Sequence, residues 1–157
     1  DARSTPFHAP YGHHTKDFFW GSLSDQCASQ GISLVHAYLL DKKGIYLNNA
    51  YRNMNYLLGL NATGYCYVTG FGFKSPMHPH HRLSASDGID NPIPGFLVGG
   101  PNPQQQMGLQ AFTCAPDEAY LDLELSYTTN EIAINWNASL LTLSAMLDAL
   151  APSVNGL

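Results

Sequence analysis

A chain of 157 residues has the length of one modest domain, and at 45% hydrophobic and 12% charged residues it is far from the composition of a disordered segment. A net charge of −5 with no basic stripe leaves nothing to displace the counterions of a nucleic acid, which excludes that class of partner. No apolar run is long enough to span a bilayer, so no membrane partner is expected.

Residues 1–20, rich in His, Pro and aromatics, read as an irregular lead-in. From Leu23 to Leu40 the positions Ile32, Val35, Leu39 and Leu40 predict a helix capped by Ser22 or Ser24. Asp41-Lys-Lys-Gly44 reads as a turn, and a second helix follows from Ile45 to Leu58 with Tyr46, Ala50, Met54, Leu57 and Leu58 on one side. So short a connection predicts an antiparallel helical hairpin. Most of the glycines and prolines then fall between Gly59 and Asp117, where periodicity is weak; a long structured loop of this kind is usually functional. A last helix is predicted from Glu131 to Leu150, its stripe of Ala133, Trp136, Leu140, Leu143, Leu147 and Leu150 stepping by three and four. The fold class is therefore all-α, antiparallel helical hairpins with long structured loops.

Cys27, Cys66 and Cys114 form no Cys-x-x-Cys pair, which argues against a thiolate zinc site. One disulfide with a free thiol and three buried free thiols remain open alternatives. Asn61-Ala-Thr63 and Asn137-Ala-Ser139 match the short glycosylation sequon, but Asn137 falls inside a predicted helix and is discounted.

The densest region chemically is Tyr67 to Arg82, which contains His78, His80 and His81. Metal binding is one reading, yet Pro79 keeps this stretch extended, so neighbouring rings point different ways; no metal ligand is assigned. A surface histidine cluster is the plainer reading. In a third, His80 and Arg82 lie on one face of an extended segment and hydrogen-bond the hydroxyls of a neutral polar ligand. That reading needs an acid, and Asp122 and Glu131 stand nine residues apart further on. Glu131 has a local explanation, a capping box with Thr128, and a chemical one, an acid at a helix start flanked by Tyr127 and Trp136. Apolar surroundings and a second carboxylate help a general acid keep its proton, whereas a helix start opposes this.

Gly72-x-Lys74, four residues, then Pro79-His80-x-Arg82 resembles the histidine-containing signature of glycoside hydrolase family 9, the endoglucanase and cellobiohydrolase family. Tyr120-x-Asp122, Tyr127, Glu131-x-Ala133 and Asn137-Ala138 resemble that family's second signature. The linking text from Asp87 to Asn102, Trp20-Gly-Ser22 and Tyr56-Leu-Leu-Gly-Leu-Asn61 are similar as well, so the likeness runs from about Trp20 to Leu150. The resemblance implies a partial (α/α)6 barrel, with residues 1–157 as the carboxy-terminal portion of one catalytic domain.

It further implies that Glu131 is the general acid, that Asp122 belongs to the active-site signature, and that His80 and Arg82 contact substrate, with Tyr127 stacking on sugar rings. The implied activity is inverting hydrolysis of β-1,4-glucosidic bonds in cellulose or related β-glucans, by a secreted protein. No cofactor is assigned; family members often carry calcium, but no ligands for it can be placed on this chain. The family's water-activating aspartates come from an Asp-Ala-Gly-Asp type motif, which does not occur here. The amino-terminal portion of the same domain is therefore the expected protein partner, and a β-glucan the expected ligand. The competing expectation is a non-catalytic carbohydrate-binding module derived from the same fold.

Overall fold

Two helices joined by a two-residue link set the frame. In the computed structural model, which describes residues 4–104, 109 and 111–151, α1 spans Ser29–Asp41 and α2 spans Gly44–Leu57. Only Lys42 and Lys43 connect them, and Lys42 reverses the chain with a left-handed φ of 57° while its N–H caps the Tyr38 carbonyl. The far ends of the pair are cross-linked as an antiparallel hairpin demands. Buried Asn53 donates from Nδ2 to the Cys27 carbonyl and to Gln30 Oε1, both at 2.9 Å. The face of α2 toward this contact carries Ala50, Met54 and Leu57, all buried, as the periodicity predicts.

Before α1 the helix begins as a π-helical turn, Leu23–Ala28, rather than as one continuous α-helix. Neither expected serine caps it. Ser22 Oγ lies 2.8 Å from the Tyr11 hydroxyl, and Ser24 Oγ is buried with no partner among the described residues. Tyr11 is one of several lead-in residues that are packed instead of loose. Its ring meets Phe18 and Tyr56 edge-on, and Ala9, Tyr11 and Phe18 all belong to the core.

The last helix, α5, runs Ile134–Leu150 and buries Trp136, Leu140, Leu143 and Leu147. It crosses α1 where the side chain is smallest. A Cβ on Gly31 would stand 2.7 Å from Leu143 Cδ2, so a larger residue here would make the leucine shift. Ala133 is the residue before the helix and Glu131 is extended, at φ −69° and ψ 154°. The helix start expected at Glu131 is therefore wrong by three residues. The Thr128–Glu131 capping box is wrong too: Thr128 lies within the short helix α4, Tyr127–Asn130, and its buried Oγ1 has no partner among the described residues.

Between Gly59 and Ser126 the described residues form one short helix, α3, Arg82–Ser86, and a 3₁₀ turn at Pro116–Glu118. No strand forms among the described residues. Instead, extended threads pair through isolated bridges, Val68 with Leu97, Val98 with Ile132 and His80 with Glu131. These stitches satisfy backbone groups that a loop packed on a core would otherwise leave orphaned. Cys27 and Cys66 are buried free thiols, whereas Cys114 is an exposed one. Asn61 is buried, and its Nδ2 donates to the carbonyls of Tyr56 and Tyr65, so its sequon is committed to a turn. No helix among the described residues is long and apolar enough to cross a membrane.

Candidate active site

The two motifs, about fifty residues apart in sequence, meet backbone to backbone. His80 N–H donates to the Asn130 carbonyl at 2.8 Å, and His80 and Glu131 form a parallel bridge. Glu131 is gripped on its other side as well. Its N–H reaches the Tyr127 carbonyl at 3.0 Å, its carbonyl accepts from Gly99 at 3.1 Å, and Gly100 holds the Thr129 carbonyl at 2.8 Å. The backbone is thus fixed while the side chain is not. The Glu131 carboxylate is half-buried and has no hydrogen bond or ion pair among the described residues.

His80 is exposed, but its ring is oriented. Nδ1 lies 2.7 Å from the Glu124 carbonyl, which can only accept, so Nδ1 carries the hydrogen. Nε2 of the neutral ring is then an acceptor with no protein partner among the described residues. The ring lies 6.1 Å from that of Tyr127, and Tyr127 in turn sits 5.7 Å from Trp20, edge to face. Trp20 is 46% exposed. Three aromatic rings in successive contact thus lead to the Glu131 segment through the His80 bridge.

Trp20 owes its place to its neighbour. Gly21 has φ +86°, and a Cβ there would stand 2.6 Å from the indole of Trp136. The left-handed turn lets the chain fold over Trp136, one turn into α5, and carries Trp20 outward beside Tyr127. Trp136 is accordingly packed beneath this turn, 7% exposed.

Asp122 has a different setting from Glu131. Its Oδ2 accepts from the Met77 N–H at 2.8 Å, and its Oδ1 from the His78 N–H and from Asn130 Nδ2, both at 3.0 Å. Asn130, fully buried, also donates to the His78 carbonyl and accepts from the Tyr120 hydroxyl at 2.6 Å. Burial, and secondarily the Asp122 carboxylate, raise the Tyr120 phenol well above its ordinary value, which keeps it a donor.

The three histidines diverge. His78 contributes its backbone to the Asp122 knot, His80 faces the aromatic row, and His81 caps α3 with Nδ1 3.4 Å from the Ser84 N–H. Among the described residues no three His, Cys, Asp or Glu side chains are grouped to hold a metal ion. Arg82 opens α3, so the extended run that was expected to align it with His80 stops before it. It is exposed, and among the described residues no bond ties its guanidinium to His80 or Glu131. The structure thus gathers Glu131, His80, Tyr127 and Asp122, with no bond among the described residues tying Arg82 to them. The sequence reading missed Trp20 as part of the aromatic row and Asn130 as the centre of a knot; an exposed tryptophan beside a glycine was the available signal for the first.

The sequence profile of Glycosyl hydrolase family 9 matches residues 2–144. The chain is 66% identical over 150 residues to the xyloglucan-specific endo-beta-1,4-glucanase BoGH9A of Bacteroides ovatus, covering 96% of this chain and 26% of that protein. It is 37% identical over 140 residues to endoglucanase D of Acetivibrio thermocellus, covering 88% of this chain and 19% of that protein. A solved structure of a Bacteroides ovatus GH9 protein superposes with a TM-score of 0.88 at 63% identity, over 96% of this chain and 26% of the other. The chain thus spans about a quarter of the length of the first of these relatives. Its helices form part of an (α/α)6 barrel, and the chain belongs to glycosyl hydrolase family 9.

Proposed function

We propose that this chain supplies the proton-donating side of an inverting β-1,4-glucanase active site. The observation that carries the reading is the pairing of His80 with Glu131, whose carboxylate no described protein group occupies, beside the row Trp20–Tyr127–His80. In an inverting glycosidase one acid protonates the departing oxygen while a second carboxylate activates water on the opposite face. Glu131 takes the first role. The Trp20 and Tyr127 rings stack on pyranose faces, and the free His80 Nε2 accepts from a sugar hydroxyl. Arg82, without a partner in the described chain, is available to the substrate.

The base comes from the amino-terminal portion of the same domain; the chain covers 26% of its relative's length, which leaves room for such a portion. That portion also has a surface to dock on. Leu58, Phe71, Phe96, Ile134 and Leu141 line an apolar groove of about 640 Å³ along α5, on which Ile134 is 92% and Leu141 71% exposed. Exposed apolar area of this kind marks an interface. Because the 66% identical relative bears the name of a xyloglucan-specific enzyme, branched β-1,4-glucan ranks ahead of plain cellulose as substrate. A polymer of that size does not cross a membrane intact, which supports action outside the cell.

The test is Glu131→Gln in the full-length protein. Turnover of xyloglucan falls by roughly 10²–10⁴-fold, the usual weight of a general acid. A β-cellobioside with a 2,4-dinitrophenolate leaving group, which needs no protonation, is hydrolysed far closer to the wild-type rate. Equal losses on both substrates would remove Glu131 from the acid role. A wild-type protein that binds glucan but never cleaves it would favour the binding module.

A further inference from the structure

The Asp122 carboxylate faces the wrong groups for proton transfer. We infer that Asp122 is a positioning residue that acts on the reaction chiefly through His80, by holding the Met77–His78 backbone in place. This rests on the site reading given above for Glu131 and His80.

Both oxygens of Asp122 accept from N–H groups: Met77 N–H on Oδ2, His78 N–H and Asn130 Nδ2 on Oδ1. All three partners are donors, so no bond in the set calls for a proton on the carboxyl. The same two-residue segment is clamped from the other end, where Asn130 Nδ2 also reaches the His78 carbonyl. Two residues on, the His80 N–H binds the Asn130 carbonyl at 2.8 Å. The His78 carbonyl, which can only accept, fixes the amide orientation of Asn130 by taking Nδ2, and Oδ1 is left to accept from the Tyr120 hydroxyl at 2.6 Å. Removing the carboxylate would orphan two backbone N–H groups just upstream of Pro79, and the chain entering His80 would lose its fixed course. The effect would reach substrate as a misplaced imidazole.

An amide at position 122 tests this at nearly constant shape. Asparagine keeps one acceptor but turns its NH2 toward an N–H, so one of the two backbone bonds fails. In the full-length enzyme, Asp122→Asn lowers kcat/KM roughly two- to threefold, a part of what losing the whole His80 hydrogen bond would cost. The loss is the same on xyloglucan and on the dinitrophenyl cellobioside, and the limbs of the pH–rate profile stay where they are in the wild type. In a His80→Ala background the same substitution costs little more, because the group it positions is already gone. A fold-stabilising role alone would instead give additive losses in the double variant.

Tyr120→Phe is the second probe. It leaves the carboxylate intact, removes the donor on Asn130 Oδ1, and gives a smaller loss that is likewise absent in the His80→Ala background. The inference is overturned if Asp122→Asn displaces a limb of the pH profile and spares the activated substrate, or if its loss and that of His80→Ala multiply. Failure of the Glu131 reading would show separately, as equal losses on both substrates in Glu131→Gln.

Discussion

The two ring nitrogens of His80 have different partners, and substitution can separate them. An asparagine at this position places its Nδ2 where Nδ1 stands, within reach of the Glu124 carbonyl, but has nothing at the place of Nε2. His80→Asn therefore keeps the anchor and loses the proposed sugar contact. Thermal stability stays near the wild-type value, while kcat/KM falls roughly two- to tenfold, the worth of one neutral hydrogen bond. Wild-type kinetics in this variant would mean that Nε2 touches no substrate. The two carboxylates of the second motif are legible in sequence as a pair but not as unlike members of it. That distinction depends on Met77, His78 and Asn130, and nothing local to Asp122 announces that backbone groups forty-odd residues away will close on its oxygens. Asn130 is opaque for the same reason: its partners lie at positions 78, 120 and 122.

At the scale of elements, the hairpin and α5 are legible because burial repeats with the helical period. Leu143 and Leu147 are buried on α5, and Ala50, Met54 and Leu57 on α2. The start of α5 is not legible, because Glu131 and Ile132 are drawn out of the helix by bridges to His80 and Val98. Tertiary pairing overrides the local preference there. The turn at Gly21 depends on the same helix. Gly21→Ala puts a methyl group against the Trp136 indole at a φ of +86° that alanine tolerates poorly. The combined strain and overpacking should cost about 1–3 kcal/mol in denaturant unfolding of the full-length protein. Because the turn also carries Trp20, affinity for oligosaccharide should fall with it. A variant with unchanged stability would show that Trp136 can step aside.

For the whole molecule, the decisive feature is what the described residues leave uncovered. The inner side of α5, with Leu143 against Gly31, is packed as tightly as a glycine contact allows. The groove side of the same helix leaves Ile134 and Leu141 open beside Phe71 and Leu58. A sequence stripe marks α5 as amphipathic but does not tell a helix with one partner from a helix with two. The second partner shows only once the first is in place and leucines are left over. Leu141→Lys in the full-length protein discriminates between a covered groove and a bare one. On a bare surface the change falls within about 0.5 kcal/mol of neutral, as surface substitutions do. In a groove filled by the amino-terminal portion, the ammonium loses its water and finds no carboxylate in an apolar lining, so the midpoint of unfolding drops well beyond that margin. A near-neutral result would mean that the helices completing the barrel close against some other face.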